Sequence, residues 1–442
     1  MKEGHSFKES YKKRKGFSWF AVMGLAMLLI LSACSSSSSE NDSASTGKNS
    51  SPGSGNAAAE NRETTKKEIS MDNRLDSIAE VPQREKEGGK RGYPNSDHNE
   101  QAGQLTAGEW DDLTAWERFG NLLNSQEADN SKRLWQFWNF NRLEVIVTAN
   151  GKAVSDASVE LTAGKKTIWT ARTNTEGRAY VYAGLFERDT ANLGQYTVKV
   201  QSGQESKTTQ QLQIPQQGSV KVDLGNSGKL SNQLDIMFVV DTTGSMEDEL
   251  NYLEAELKDV VSRVSDQHSN QLDMRISANF YRDRNDDYIV KPYPFTSDVN
   301  KVISQFSKQE AKGGGDYPEA VDQALQDALF EHDWSKEARA RLLFLVLDAP
   351  PHDDAQVIDE MKRLTKEAAA QGVRIIPVAS SGVSVDTEYL LRFLAAATGG
   401  TYLFLTDDSG IGSGHLEPAV GEYEVKLLND LLVEVINRYA QE

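Results

Sequence analysis

Short apolar runs alternate with helical patterns of apolar residues over the carboxy-terminal half of the chain. The runs are too short for helices and rich in branched residues, which is typical of strands buried on both faces of a parallel sheet. They cover residues 236–240, 275–280, 342–347 and 373–379. The helical patterns cover residues 318–331, 355–371, 386–397 and 422–438. Because alternating strands and helices form a parallel sheet with helices on both faces, we predict a doubly wound α/β domain for residues 227–442.

Residues 143–226 follow a different pattern, in which apolar and polar residues alternate over short stretches. Val145 and Val147 share one face of such a stretch, and the Asn150-Gly151 pair that follows is a turn sequence typical of β-hairpins. Alternating stretches separated by turn residues indicate a small all-β sandwich.

Residues 106–142 are rich in aromatic side chains and include four of the seven tryptophans. Trp110, Trp116 and Phe119 fall at helical spacing, and acidic residues near Trp110 suit a first helical turn. This pattern predicts an aromatic-rich helical segment. The rings form either a face that binds a sugar or a partner, or a stripe that packs on the next domain. We favour the packing role because aromatic stripes on helices usually belong to a core.

The amino terminus has the pattern of a secretory signal. Six lysine and arginine residues precede residue 17, and residues 17–31 are apolar apart from Ser18. The stretch ends in Leu31-Ser32-Ala33-Cys34, which resembles the lipobox of bacterial lipoproteins. The resemblance implies that residues 1–33 are removed as a signal peptide and that Cys34 carries diacylglycerol, which anchors the chain to a membrane. The alternative is an uncleaved signal anchor with an incidental cysteine.

Residues 34–105 have no periodic apolar pattern and begin with a run of serines after the cysteine. Such a segment buries too little surface to fold, so we predict a disordered tether. About 70 flexible residues have a mean reach of about 45 Å. Both readings of the signal place the rest of the chain outside the cytoplasm, in a bacterial cell envelope. Ser35 after the cysteine resembles the sorting signal for the outer membrane, which favours the outer membrane or the cell surface.

Composition narrows the partners that are expected. The formal net charge is −18, which argues against nucleic acid and anionic lipid headgroups as general partners. The single cysteine excludes an intramolecular disulfide and a thiolate metal cluster.

Oxygen-bearing side chains follow the predicted strands where each strand ends. Asp241, Thr243 and Ser245 come directly after the first strand of the α/β domain, and Asp348 follows the 342–347 run. Between them lies a Gly-Gly-Gly-Asp-Tyr-Pro-Glu loop that contains Asp316. Because open α/β sheets bind ligands at the carboxyl ends of their strands, we expect these side chains to meet there. Oxygen ligands suit a hard divalent cation such as Mg²⁺ or Ca²⁺.

These motifs resemble the metal-ion-dependent adhesion site of von Willebrand factor type A domains, which have a Rossmann-like fold. That site uses Asp-x-Ser-x-Ser, a threonine and a distant aspartate. Asp241 and Ser245 match directly, Thr243 keeps a hydroxyl at the first serine position, and Asp348 matches the distant aspartate. Asp316 falls at the threonine position. The resemblance implies a bound Mg²⁺, or alternatively Ca²⁺ or Mn²⁺, and a subgroup of the family shares the Gly-Gly-Gly-Asp-x-Pro-Glu, Asp-Ala-Pro-Pro-His and Tyr-Arg-Asp-Arg motifs found here.

Asp316 is the main departure from the pattern. As a third carboxylate it would weaken the pull of the cation on an acidic partner or favour Ca²⁺. The alternative is a helix cap before Pro318 at the first helical position. Two further polar residues belong to the shared motifs. Asp283 is expected to be a solvated turn residue, with a place at the rim of the site as the alternative. His352 is expected to be a loop residue, with ligation of a soft or borderline metal as the alternative. The segments 150–157 and 173–177 resemble carboxypeptidase-regulatory, transthyretin-like sandwiches, which implies a spacer or an interaction surface.

The leading functional interpretation is a lipid-anchored envelope protein that binds a protein partner, or itself, through the cation, with an acidic partner residue as one ligand. We expect no enzymatic activity, no nucleic acid and no small-molecule substrate, because no catalytic arrangement is visible near the site. One alternative is an envelope scaffold with a structural cation or none. Another is an Mg²⁺-dependent phosphoaspartate enzyme, since Asp-x-Thr-Gly-Ser resembles a P-type ATPase motif, but the lysine and the Gly-Asp loop of those enzymes are missing.

Overall fold

The computed structural model describes residues 101–189, 195–214, 218–226, 229–268 and 271–441. The predicted signal peptide, Cys34 and nearly all of the predicted tether lie outside the described residues. None of the described helices is both long and apolar enough to cross a membrane.

The first described elements precede the β-sandwich in the chain. They are the strand β1 (Thr106–Trp110) and the helices α1 (Trp116–Leu122) and α2 (Gln126–Trp135). The prediction of a helix that includes Trp110 is wrong, because this tryptophan ends a strand. The strand forms through distant partners: Ala107 pairs with both Leu405 and Lys426. Such tertiary pairing overrides a local helical pattern.

The next eight strands form two four-stranded sheets. Their bounds are β2 (Arg142–Ala149), β3 (Lys152–Ala153), β4 (Ser158–Ala163), β5 (Lys166–Arg172), β6 (Arg178–Tyr182), β7 (Tyr196–Ser202), β8 (Glu205–Leu212) and β9 (Ser219–Asp223). One sheet joins β2 to β3, β6 and β9, and the other has the order β5-β4-β7-β8. Alternate residues of β2 and β4 are buried, and inward-facing residues of both sheets, such as Val145 and Val159, share one apolar core.

The remaining chain alternates strands and helices. The strands are β10 (Gln233–Asp241), β11 (Asp273–Tyr281), β12 (Val290–Lys291), β13 (Ala340–Leu347), β14 (Val373–Ala379), β15 (Tyr402–Leu405) and β16 (Lys426–Leu427). The helices are α3 (Glu247–His268), α4 (Val299–Phe306), α5 (Val321–Phe330), α6 (Ala355–Gln371), α7 (Val385–Thr398) and α8 (Leu428–Ala440).

These strands and β1 form one eight-stranded sheet with the order β12-β11-β10-β13-β14-β15-β1-β16. The five strands from β11 to β15 in this order are parallel, and β12, β1 and β16 are antiparallel to their neighbours. The predicted doubly wound, mostly parallel α/β fold is therefore confirmed.

Helices cover both faces of the large sheet. Ile236 and Phe238 of β10 belong to a core shared with α3, α4 and α8, whereas Met237 lies in a second core on the opposite face. That second core includes α5, α6 and α7 and continues into the β-sandwich. The Tyr182 hydroxyl, which is fully buried, donates a hydrogen bond to the Ala396 carbonyl at 2.7 Å and joins the sandwich to α7.

Candidate metal site

The first group of predicted ligands lies at the carboxyl end of β10. Asp241 is fully buried, and its Oδ1 accepts hydrogen bonds from the Thr243 backbone N–H at 2.8 Å and the Thr243 hydroxyl at 2.7 Å. The Thr243 and Ser245 hydroxyl oxygens are 3.2 Å apart. The turn after β10 thus brings one carboxylate and two hydroxyls into a single cluster.

Asp348 follows β13, which is the direct neighbour of β10 in the sheet. Burial raises the pKa of Asp348 to about 6, while the nearby Ser245 hydroxyl acts in the opposite direction. Burial raises the pKa of Asp241 to about 7, and repulsion from Asp348 adds to the shift. The two carboxylates therefore lie close enough to oppose each other's ionisation.

Each of these two carboxylates has an oxygen that makes no hydrogen bond of normal geometry with a described residue, and the Tyr281 hydroxyl lies near Asp241 and the Ser245 hydroxyl near Asp348. These oxygens are Asp241 Oδ2 and Asp348 Oδ1, and both are buried. A buried polar atom that lacks a partner costs free energy, and such atoms are rare in folded proteins. A cation is one group that would satisfy both oxygens.

Asp316 is placed differently from the other four predicted ligands. It is solvent-exposed, and no hydrogen bond or ion pair joins it to another residue in the described part of the chain. The helix-cap alternative is wrong, because α5 begins at Val321 and its capping residue is Ala320, which has no side-chain cap.

Glu319, which the sequence interpretation did not select, lies closer to the cluster. It is only 2 % exposed, and a Cβ added at Gly314 would lie 2.9 Å from Glu319 Oε1 and 3.4 Å from the Thr243 Cβ. Burial and then Asp241 raise the pKa of Glu319 to about 9, and its Oε2 is buried without a partner among the described residues. Glu319 is the last residue of the Gly-Gly-Gly-Asp-x-Pro-Glu motif, and this position in the motif could have identified it as a site residue from the sequence.

The loop after β11, which contains Asp283, contacts the loop after β13, which contains His352, beside the site. His352 Nε2 and Asp283 Oδ1 are 2.7 Å apart, and Asp283 is only 4 % exposed. The expectation of a solvated Asp283 is therefore wrong. Asp286 Oδ2 accepts hydrogen bonds from the backbone N–H groups of Asp283 at 3.0 Å and Gly314 at 2.8 Å. These contacts hold the loop that carries Asp316 and Glu319 against the sheet edge.

The donor set fits a hard divalent cation that is bound partly by hydroxyls. No group of three or more His, Cys, Asp or Glu side chains in the described part of the chain is arranged to hold a metal ion. A site here would therefore use the two buried carboxylates, Asp241 and Asp348, together with the hydroxyls of Thr243 and Ser245. Carboxylate and hydroxyl oxygens are suitable ligands for Mg²⁺ and Ca²⁺.

The fold and the oxygen cluster at the carboxyl edge of its sheet place this part of the chain among the doubly wound α/β domains. Residues 235–407 match the family model of the von Willebrand factor A domain. The match covers 173 of the 442 residues and agrees with the resemblance to that family.

Two individual proteins show further similarity. A curated protein of Acanthamoeba polyphaga mimivirus, "Putative ariadne-like RING finger protein R811", is 26% identical over 215 residues, or 45% of this chain. The match covers 20% of that protein, so this chain spans about a fifth of its length. The second is the crystal structure of the conserved hypothetical protein BatB from Bacteroides thetaiotaomicron. The alignment covers 100% of the BatB chain and 47% of the present chain, with 14% sequence identity and a TM-score of 0.32.

Proposed function

We propose that this protein is a lipid-anchored component of the cell envelope and binds a protein partner through a divalent cation. Asp241, Thr243, Ser245 and Asp348 would hold the cation at the carboxyl edge of the large sheet. Domains of the von Willebrand factor A family commonly mediate protein interactions, which supports this kind of function. The proposal includes no enzymatic activity.

The observation that carries the proposal is the pair of buried oxygens without partners, Asp241 Oδ2 and Asp348 Oδ1. Two carboxylates buried side by side oppose each other's ionisation, and a divalent cation would remove that repulsion. When bound, the cation would supply a positive centre able to accept an oxygen ligand from outside the chain. A carboxylate from an acidic residue of the partner is the ligand expected for Mg²⁺, Mn²⁺ or Ca²⁺.

The membrane attachment in this proposal rests on the amino-terminal sequence. The lipobox ending in Cys34 supports a diacylglycerol anchor. A buried acyl chain contributes about 0.8 kcal/mol per methylene group to membrane binding. Metabolic labelling with a fatty acid tests this part separately, because Cys34→Ser should abolish incorporation of the label.

Calorimetric titration tests the cation site directly. The chain from residue 35 onward should bind Mg²⁺, Mn²⁺ or Ca²⁺, and Asp241→Ala should abolish that binding while circular dichroism stays unchanged. Asp273→Ala is the matched control, because Asp273 is an exposed aspartate at the amino end of β11, the opposite edge of the sheet. Unchanged cation affinity in a folded Asp241→Ala variant would refute the assignment.

Crosslinking of the natural protein and of Asp241→Ala in intact cell envelopes, with and without EDTA, is then used to find the partner. A crosslinked species that is lost both with EDTA and in Asp241→Ala supports cation-dependent binding. A species that persists under both conditions favours the scaffold function over the cation bridge.

A further inference from the structure

A cleft lies at the amino ends of β10 and β13, whereas the oxygen cluster lies at the carboxyl ends of these strands. This cleft has a volume of about 870 Å³ and lies between the β-sandwich and the α/β domain. Its walls come from the start of the sandwich, the end of β7 and the segments that lead into β10 and β13. Because β10 is nine residues long, the cleft and the cluster are separated by about 25–30 Å of strand. The two sites are therefore distinct.

The cleft has an excess of positive charge although the chain as a whole is strongly acidic. Lys152, Lys229 and Lys336 line it, and all three are exposed and have no ion pair with another described residue. The lining acids are Asp156 and Glu337. Local positive charge of this kind attracts anions whatever the net charge of the chain.

The charge of Asp156 is already neutralised. Its carboxylate forms a two-point ion pair with Arg341, at 2.9 and 3.1 Å, and a further ion pair with Arg172 at 3.2 Å. The Arg341 side chain is only 4% exposed, so this contact ties the sandwich to β13 beneath the cleft. A fixed ion pair at the base keeps the two walls, and the lysines on them, at a constant separation.

The rest of the lining combines polar and small apolar groups, and none of the described lining residues is aromatic. Its hydroxyl and amide groups belong to Ser155, Ser158, Thr175, Gln201, Ser202 and Ser231. Groups of this type exchange hydrogen bonds with the hydroxyls of a ligand. The apolar part of the lining comes from Ala153, Val154, Leu230 and Ala338. Val154 and Ala338 are buried, and none of the four is a large exposed apolar side chain.

We propose that this cleft binds an acidic oligosaccharide, a ligand that carries carboxylate or sulfate groups on a hydroxyl-rich backbone. The three lysines would pair with the acidic groups, and the hydroxyl and amide side chains would bind the sugar hydroxyls. The volume falls within the range of about 300–1,000 Å³ that is usual for ligand sites. Binding here does not depend on the cation site.

Calorimetric titration of the chain from residue 35 onward with a galacturonate hexasaccharide, at low ionic strength and in the presence of EDTA, tests the proposal. We expect saturable binding that weakens as salt is added. The double variant Lys152→Glu with Lys336→Glu changes one lysine on each wall and should lower the affinity at least tenfold. The control Lys301→Glu with Lys308→Glu makes the same charge change on exposed lysines in and after α4 and should lower it less than threefold.

Two probes distinguish this ligand from other anions and other sugars. Maltohexaose has the hydroxyls without the charge, and hexaglutamate has the charge without the sugar. Binding of galacturonate at least tenfold tighter than both supports the proposal. Absence of galacturonate binding, equal binding of either probe, or equal loss in the two double variants would overturn it. EDTA is present throughout, so failure here is independent of the cation site.

Discussion

Arg392 forms a two-point ion pair with Asp112, although 280 positions separate them in the chain. Arg392 Nε lies 2.8 Å from Asp112 Oδ2, and Arg392 Nη2 lies 2.7 Å from Asp112 Oδ1. Both side chains are buried, and Arg392 Nη1 also contacts Glu388 Oε1 at 3.1 Å. The ion pair joins the segment that precedes the sandwich in the chain to α7, a helix that follows the sandwich in the chain.

Breaking this pair from one side should strongly destabilise the fold. Asp112→Ala leaves a buried guanidinium without its main partner, and we expect a loss of about 3–5 kcal/mol in the free energy of unfolding. Urea denaturation followed by circular dichroism measures it. Asp129→Ala removes an exposed aspartate from its ion pair with the partly buried Lys132 and should cost far less stability. Equal midpoints for the two variants would contradict the structural role of the pair.

A second buried carboxylate fixes the start of the folded chain. Glu256 of α3 is fully buried and accepts hydrogen bonds from the backbone N–H groups of Gly103, Gln104 and Leu105, at 2.8, 2.8 and 3.0 Å. These bonds place the end of the predicted tether directly against the domain that carries the candidate site.

Glu256→Ala removes the acceptor for all three of these N–H groups. The Leu105 N–H is buried and the Gly103 and Gln104 N–H groups are partly buried, so the last two cost less than the about 1–3 kcal/mol of a buried donor without a partner. We therefore expect a loss of roughly 2–5 kcal/mol in the free energy of unfolding. Faster hydrogen exchange at residues 103–110 should accompany it. Glu254→Ala, two residues earlier on α3, removes a partly exposed ion pair with Lys258 and serves as the control. Unchanged exchange in Glu256→Ala would show that the contact does not hold this segment.

The sequence allowed the parallel strands and four of the site residues to be predicted for one physical reason. Strands buried on both faces appear as apolar runs, and polar residues directly after them must lie at the carboxyl edge of the sheet. Asp241 and Asp348 follow from that rule alone. The prediction of β1 as a strand did not follow, because it depends on pairing with Leu405 and Lys426, which are 298 and 319 residues after Ala107, and on close contact between Gly108 and Phe404.

The positions of Asp316 and Glu319 could not be predicted, because they depend on loop conformation. Gly313, Gly314 and Gly315 have φ values of +82°, +73° and +151°, which side chains other than glycine rarely adopt. These angles turn the chain so that Asp316 faces solvent and Glu319 returns towards Thr243. Apolar periodicity contains no information about such a turn.

The pH dependence of stability provides a test of the buried carboxylate pair. In the folded chain without a cation, the pKa of Asp241 is raised from 3.8 to about 7, so ionisation of this group destabilises the fold as pH rises through that interval. Asp241→Asn cannot ionise. We therefore expect the variant and the natural protein to unfold at similar temperatures at pH 4, with EDTA present, and the variant to be more stable at pH 8.

The difference at pH 8 should be on the order of a few kcal/mol. Adding Mg²⁺ at pH 8 should stabilise the natural protein but not Asp241→Asn, because the cation binds only the folded chain with the carboxylate intact. Differential scanning calorimetry at both pH values measures these effects. Identical unfolding temperatures for the two proteins at pH 8 without a cation would show that the burial of Asp241 carries no electrostatic cost.

The last prediction distinguishes Asp316 from Glu319 as the third acidic group that influences the cation. Glu319 is buried beside Thr243, so its charge would act on a bound cation through a poorly screened medium, whereas water surrounds Asp316. Burial raises the pKa of Glu319 to about 9, so the test is made at pH 9.5, where this carboxyl is ionised. At that pH we expect Glu319→Gln to lower cation affinity at least tenfold, and Asp316→Asn to lower it less than threefold. Isothermal titration with Mg²⁺ and Ca²⁺ measures both variants. A larger effect from Asp316→Asn would mean that the loop turns over on binding and brings Asp316 to the cation, as the threonine position of the family motif implies.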